Sequence, residues 1–127
     1  MLRIAKRTGK ATKLSANWLL LSELMAEFIK VANLDELKPD EVKAVNVGGV
    51  RIALYRLANE VFATSDICTH AGCLFSESGY VQKREVECGC HSSRFDIKTG
   101  QVVQEPAVEA IKVYPVKIES GSVLVEI

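Results

Sequence analysis

The chain has 127 residues and a mass of 13.9 kDa, the size of one domain that can bury a core without needing disulfides merely to fold. Its 16 Lys and Arg balance its 16 Asp and Glu, giving a formal net charge of zero, which excludes a nucleic-acid binder driven by bulk basic charge. Charged residues at 25% and hydrophobic residues at 48% argue against disorder, and no run reaches the roughly 18 apolar residues of a membrane-spanning helix.

The neutral total conceals an asymmetry. Residues 1–24 carry five basic side chains (Arg3, Lys6, Arg7, Lys10, Lys13) and one acid, Glu23. That leaves 11 basic and 15 acidic residues, a net charge of −4, in 25–127. The body is mildly acidic and its leader basic. The apolar stretch Trp18-Leu19-Leu20-Leu21 is shorter than the about 7–15 residues of a secretory signal core. No small-residue cleavage site follows it, and Lys6-Arg7 is not a twin-arginine pair. These features argue against an export signal. They fit a helical extension packing on the body or on a partner. They fit equally a stretch lying upstream of a native start at Met25.

From Phe28 the chain reads as strands. Residues 28–31 form a short one, and 33–40 form a polar connection with a helical turn, closed by Pro39. Residues 42–47 alternate, Gly48-Gly49 makes a two-residue turn, and 50–57 follow with Ile52 and Leu54 on one side. Two glycines between alternating runs are a strong hairpin signal. Asn59-Glu60 marks a second turn before a strand at 61–64. Near the C-terminus, 116–119 and 122–127 flank the turn Ser120-Gly121. Short strands with frequent turns predict an all-β sandwich or barrel built of antiparallel sheets.

The chemistry sits in one window. All four cysteines and both histidines lie between Cys68 and His91. The first cluster is Cys68-Thr69-His70-Ala71-Gly72-Cys73, and the second is Cys88-Gly89-Cys90-His91-Ser92-Ser93. Buried structural thiols or two disulfides of a secreted domain leave the histidines unexplained. A Cys2His2 zinc site is the serious rival, although zinc motifs usually place both cysteines in one half and both histidines in the other. Here each half supplies one cysteine and then one histidine, as Cys-x-His and Cys-x-x-His.

That arrangement resembles the Rieske motif, in which one iron of a 2Fe–2S cluster takes two cysteines and the other takes two histidines. The resemblance extends beyond the ligands. Asp66 to Cys73 and Cys90 to Asp96 are similar to the two cluster loops, and Glu105-Pro106-Ala107 to the proline-bearing loop that covers the cluster. Tyr114-Pro115-Val116 and the terminal hairpin also match the family's ending, so the likeness runs from about 28 to 127. It implies a Rieske domain over 25–127: a sandwich or barrel-like base with a small cluster-binding subdomain at about 66–107.

Carried over residue by residue, the resemblance makes Cys68 and Cys88 the ligands of the inner iron and His70 and His91 those of the outer one. Cys73 and Cys90 match a pair that is disulfide-bonded in one branch of the family, with two free thiols as the alternative in a reducing compartment. Ser93 matches a serine whose hydroxyl donates to a cluster sulfide in high-potential members. Phe95 stands where those members carry a tyrosine, so one donor is missing. Gly89 replaces the usual proline and Ser92 the usual glycine, and both changes alter the stiffness of the second loop.

Two ferric irons, two sulfides and two thiolates cancel in charge, whereas four thiolates would leave the oxidised cluster anionic. A neutral centre accepts an electron more easily, which places Rieske centres at roughly −150 to +300 mV against about −400 mV for plant-type ferredoxins. Solvent-facing histidines would couple the electron to a proton. No nucleophile, acid–base pair or nucleotide loop stands out beyond the cluster residues. The expectation is a cytoplasmic one-electron carrier rather than a self-contained catalyst. It would be a ferredoxin passing electrons from a reductase to a terminal acceptor such as an oxygenase. A Rieske small subunit of a larger oxidoreductase is the alternative, and a zinc-stabilised β interaction module is the rival from another class.

Overall fold

The computed structural model describes residues 28–70 and 72–127. The leader and its three readings lie outside the described residues. Among the described residues eleven strands follow one another: β1 (Phe28–Asn33), β2 (Val42–Val47), β3 (Val50–Leu57), β4 (Glu60–Ser65), β5 (Tyr80–Gln82), β6 (Glu85–Glu87), β7 (Arg94–Asp96), β8 (Val102–Gln104), β9 (Val113–Tyr114), β10 (Val116–Glu119) and β11 (Ser122–Glu126). A 3-10 turn (Leu34–Glu36) follows β1, and a single helical turn α1 (Phe75–Ser78) precedes β5. Three antiparallel sheets result, in the orders β1-β11-β10, β2-β3-β4-β9 and β5-β6-β7-β8. The all-β expectation holds.

Turn chemistry sets the register. Gly48 and Gly49 have φ of +57° and +86°, the left-handed pair that a type I′ hairpin requires. The Gly49 N–H donates to Asn46 Oδ1 at 3.1 Å, and Val47 stands opposite Val50. Ser120 and Gly121, with φ of +50° and +79°, close the last hairpin in the same way. The middle turn differs from expectation by one residue. Ala58-Asn59 makes it, with Ala58 at φ +57°, and Glu60 already pairs with Leu57. The polarity of Glu60 belongs to an exposed strand position, not to the turn. β1 likewise runs two residues further than expected, to Asn33.

β3 is the central element. Ile52, Ala53, Leu54 and Tyr55 are all fully buried, so both faces of the strand are covered rather than one. Ile52 and Leu54 join Ala63, Val123 and Val125 in the core between the first two sheets. Ala53 and Tyr55 join Phe75, Val86, Phe95 and Ile97 in a second core beneath the third sheet. The base and the smaller β5–β8 unit thus share one strand as their common wall. Among the described residues no helix is long and apolar enough to cross a membrane.

Tyr55 carries a hydroxyl placed deep in this wall. It contacts Thr64 Oγ1 at 2.8 Å. Thr64 Oγ1 itself donates to the Ser65 carbonyl, so Tyr55 is the donor. Burial pushes the Tyr55 phenol well above its ordinary value. The native state therefore keeps a proton that the unfolded chain loses above about pH 10, and stability falls as pH rises through that region. Urea midpoints measured between about pH 8 and 11 should decline, and Tyr55→Phe should flatten that decline. An unchanged slope in the variant would show that Tyr55 is not its source.

Candidate metal centre

The first loop hangs from a buried carboxylate. Asp66 is fully buried, and its Oδ2 receives Arg51 Nε at 2.7 Å and Ser76 Oγ at 2.6 Å. Its Oδ1 receives the Ser76 N–H at 2.8 Å. The Asp66 backbone closes both sides, donating to Arg51 O and accepting from Phe75 N–H. One residue thus ties β3, the start of the loop and α1 together. A buried carboxylate is tolerated because its lone pairs are met by a cation and two further donors.

The two loops then fold alike. The Cys68 N–H donates to the Cys73 carbonyl at 2.8 Å and the Gly72 N–H to the Cys68 carbonyl at 2.9 Å. In the second loop the Cys88 N–H donates to Ser93 O at 2.8 Å and the Ser92 N–H to Cys88 O at 2.9 Å. The left-handed position falls at the same place in each, Gly72 at φ +74° and Ser92 at φ +66°. Glycine adopts this readily, whereas serine does so at a cost. Gly89 is fixed by space: a Cβ there would lie 2.0 Å from the Ser78 carbonyl oxygen. Its replacement of proline is thus a packing requirement of this chain, beyond any effect on stiffness.

The expected site residues separate by depth. Cys68 and Cys88 are each 1% exposed and share the second core. His70 and His91 are both exposed, and their rings meet edge to face with centroids 4.9 Å apart. Cys73 and Cys90 form a disulfide between the loops, with a Cα–Cα distance of 6.6 Å. The sulfurs of Cys73, Cys88 and Cys90 lie within 4.8 Å of one another. Two of these three are committed to the disulfide, so this trio is not a thiolate ligand set. Two buried cysteines outside the disulfide and two imidazoles at the surface make a donor set that fits a mixed sulfur–nitrogen centre.

A third segment crosses over both loops. Glu105 and Pro106 are joined by a cis peptide bond, and Pro106 is exposed while Ala107 is buried. The Ala107 N–H donates to Ser93 Oγ at 3.0 Å, and Thr69 Oγ1 donates to the Glu109 carbonyl at 2.7 Å. Ser93 is fully buried, and as the acceptor in its contact it keeps its own proton to donate. Phe95, also fully buried, packs edge to face on Phe75 at 5.7 Å. Sequence reasoning gave no role to Asp66, Arg51, Ser76 or Thr69. Asp66 stood inside the motif, but its partners are 15 and 10 residues away, and no local pattern announces them.

This geometry has counterparts. The Rieske [2Fe-2S] domain model matches residues 27–115. A ferredoxin component of the naphthalene 1,2-dioxygenase/salicylate 5-hydroxylase systems of Ralstonia sp is 40% identical over 99 residues, covering 78% of this chain and 94% of that protein. The ferredoxin of carbazole 1,9a-dioxygenase from Nocardioides aromaticivorans IC177 superposes with a TM-score of 0.74 at 33% identity, covering 77% of this chain and 95% of that one. A structure of reduced oxygenase with oxidised ferredoxin in carbazole 1,9a-dioxygenase gives a TM-score of 0.74 at 30% identity, over 80% of this chain and 94% of the matched one. With its paired loops, covering segment and β base, this chain belongs to the Rieske [2Fe–2S] domain family.

Proposed function

We propose that this chain is the ferredoxin component of an oxygenase system, carrying one electron at a time from a reductase to a terminal oxygenase. The observation that carries the reading is the split of donors across two matched loops: cysteines buried at their bases, and histidine rings 4.9 Å apart at their exposed tips. The relatives described as ferredoxin components of dioxygenase systems support the same role. In this reading Cys68 and Cys88 hold the inner iron of a 2Fe–2S cluster, and His70 and His91 hold the outer one. The cluster supplies reversible one-electron redox chemistry.

The chain's own residues divide the remaining work. The thiols of Cys68 and Cys88 sit away from water, where each charge–dipole interaction is strong. His70 and His91 present imidazole edges to solvent, where a partner protein can reach them. Ser93 takes the Ala107 N–H on its oxygen and in this reading offers its own proton to a cluster sulfide. Phe95 fills the core without adding a hydroxyl. The Cys73–Cys90 disulfide holds the two loops in one relation. Residues 25–127 act as one Rieske unit with its cluster-binding part at about 66–107, and residues 1–24 are either an extension to it or a stretch upstream of the native start. The protein works in the cytoplasm, beside its reductase and oxygenase.

Purified aerobically, the protein should be red-brown with about two irons and two sulfides per chain, and when reduced it should give the low-g paramagnetic signal of mixed His and Cys ligation. His70→Ala or His91→Ala should lose or badly perturb the cluster. A colourless protein holding one zinc would overturn the reading. Hydrogen bonds to cluster sulfurs raise the midpoint potential because they favour the more negative, reduced state. Phe95→Tyr should therefore raise it, and Ser93→Ala lower it, by tens of millivolts each, on the order of 1 kcal/mol or less for one electron. Protein-film voltammetry measures both, and a shift of opposite sign in either variant would contradict the assigned hydrogen bonds.

A further inference from the structure

The second loop carries a cost that the first does not. At the equivalent left-handed position the first loop has Gly72 and the second has Ser92. A side chain there disfavours the conformation, which gives weight to any contact that holds it from outside the loop. The Ser92 carbonyl accepts a hydrogen bond from Gln104 Nε2 at 2.9 Å. Gln104 ends β8 and stands directly opposite Arg94 of β7 in the ladder.

Arg94 fixes which way that amide faces. Its Nη2 donates to Gln104 Oε1, so the oxygen end of the amide points to the guanidinium and the nitrogen end is left for Ser92. The guanidinium is itself held from the other side. Arg94 Nη1 reaches Glu85 Oε1 at 3.2 Å, and Nε lies 3.9 Å from Glu87 Oε1. Glu85 and Glu87 both belong to β6, and Glu87 pairs with Arg94 across the ladder. The planar fork of an arginine suits this role, because it presents several donors in fixed directions at once.

We propose that Gln104, oriented by Arg94, is a positioning residue for the histidine-bearing second loop: its hydrogen bond to the Ser92 carbonyl takes over the part that glycine's conformational freedom plays in the first loop. Ser92 directly follows His91, so a loop released at this point displaces that imidazole. The inference rests on the reading that His91 holds the cluster. It adds a residue outside both loops that sets how the ring is presented.

Gln104→Glu separates positioning from mere space filling. A glutamate keeps the size of the side chain and still accepts from Arg94, but it has no donor for the Ser92 carbonyl. In cluster-loaded protein, Gln104→Glu and Gln104→Ala should each speed cluster loss to a ferrous-iron chelator about two- to tenfold, the factor set by one net hydrogen bond. Both should also shift the g-values of the reduced protein. In the Ser92→Gly background, Gln104→Ala should lose most of that effect, because glycine needs no outside help at this position. A Gln104→Glu protein matching wild type in both readouts would overturn the proposal, and so would a Gln104→Ala effect undiminished by Ser92→Gly. The iron and sulfide content of wild type reports separately on the ligand assignment, so failure of that reading is distinguishable from failure of this one.

Discussion

Each cluster loop closes on itself through the same two backbone hydrogen bonds. A cysteine N–H donates to the carbonyl five residues on, and that cysteine's carbonyl accepts from the N–H four residues on. This closure turns the cysteine inward and leaves the histidine at the tip. Everything else at the site follows from keeping two such loops face to face. The disulfide joins them at one point. The segment after β8 joins them at two more, through Thr69 to Glu109 and Ala107 to Ser93. A centre assembled from two loops is only as well defined as the relation between them, and here the disulfide and the covering segment together fix that relation.

The loops are anchored to the base through a buried ion pair. Arg51 on β3 reaches Asp66, and Asp66 receives α1 through Ser76. Removing one partner of such a buried pair leaves an uncompensated charge and typically costs about 3–5 kcal/mol. Arg51 is itself 39% exposed, so screening reduces that figure here. The same strand contributes Ile52 and Leu54 to the base core and Ala53 and Tyr55 to the core under the third sheet. β3 therefore packs both against the first sheet and beneath the loop-bearing unit, linking the base to the site.

Much of this was legible in the residues. The hairpins at Gly48-Gly49 and Ser120-Gly121 were readable because a left-handed turn leaves a compositional mark. The two cluster loops were readable because cysteines and histidines gathered in one short window have few structural uses. The strands β5 to β8 were not readable: three residues apiece are too few for alternation to register. The turn at Ala58 was misplaced because an exposed strand glutamate looks like a turn residue. The burial of β3 on both faces was missed because its sequence VRIALYRL shows Arg51 and Arg56 and suggests a wet side. Both arginines instead run to the edges, where Arg51 meets Asp66 and Arg56 meets the carbonyls of Leu34 and Leu37. The Asp66 and Gln104 contacts are long-range pairings that only the folded chain brings together.

The central claim is that one iron is held by two histidines of this chain, His70 and His91. Pulsed electron paramagnetic resonance on the reduced protein, with histidine carrying the heavy nitrogen isotope, addresses it directly. Two distinct strongly coupled nitrogens are expected from two imidazole ligands, and one should disappear when either histidine is replaced and a cluster is retained. A reduced cluster with no strongly coupled nitrogen would contradict the assignment.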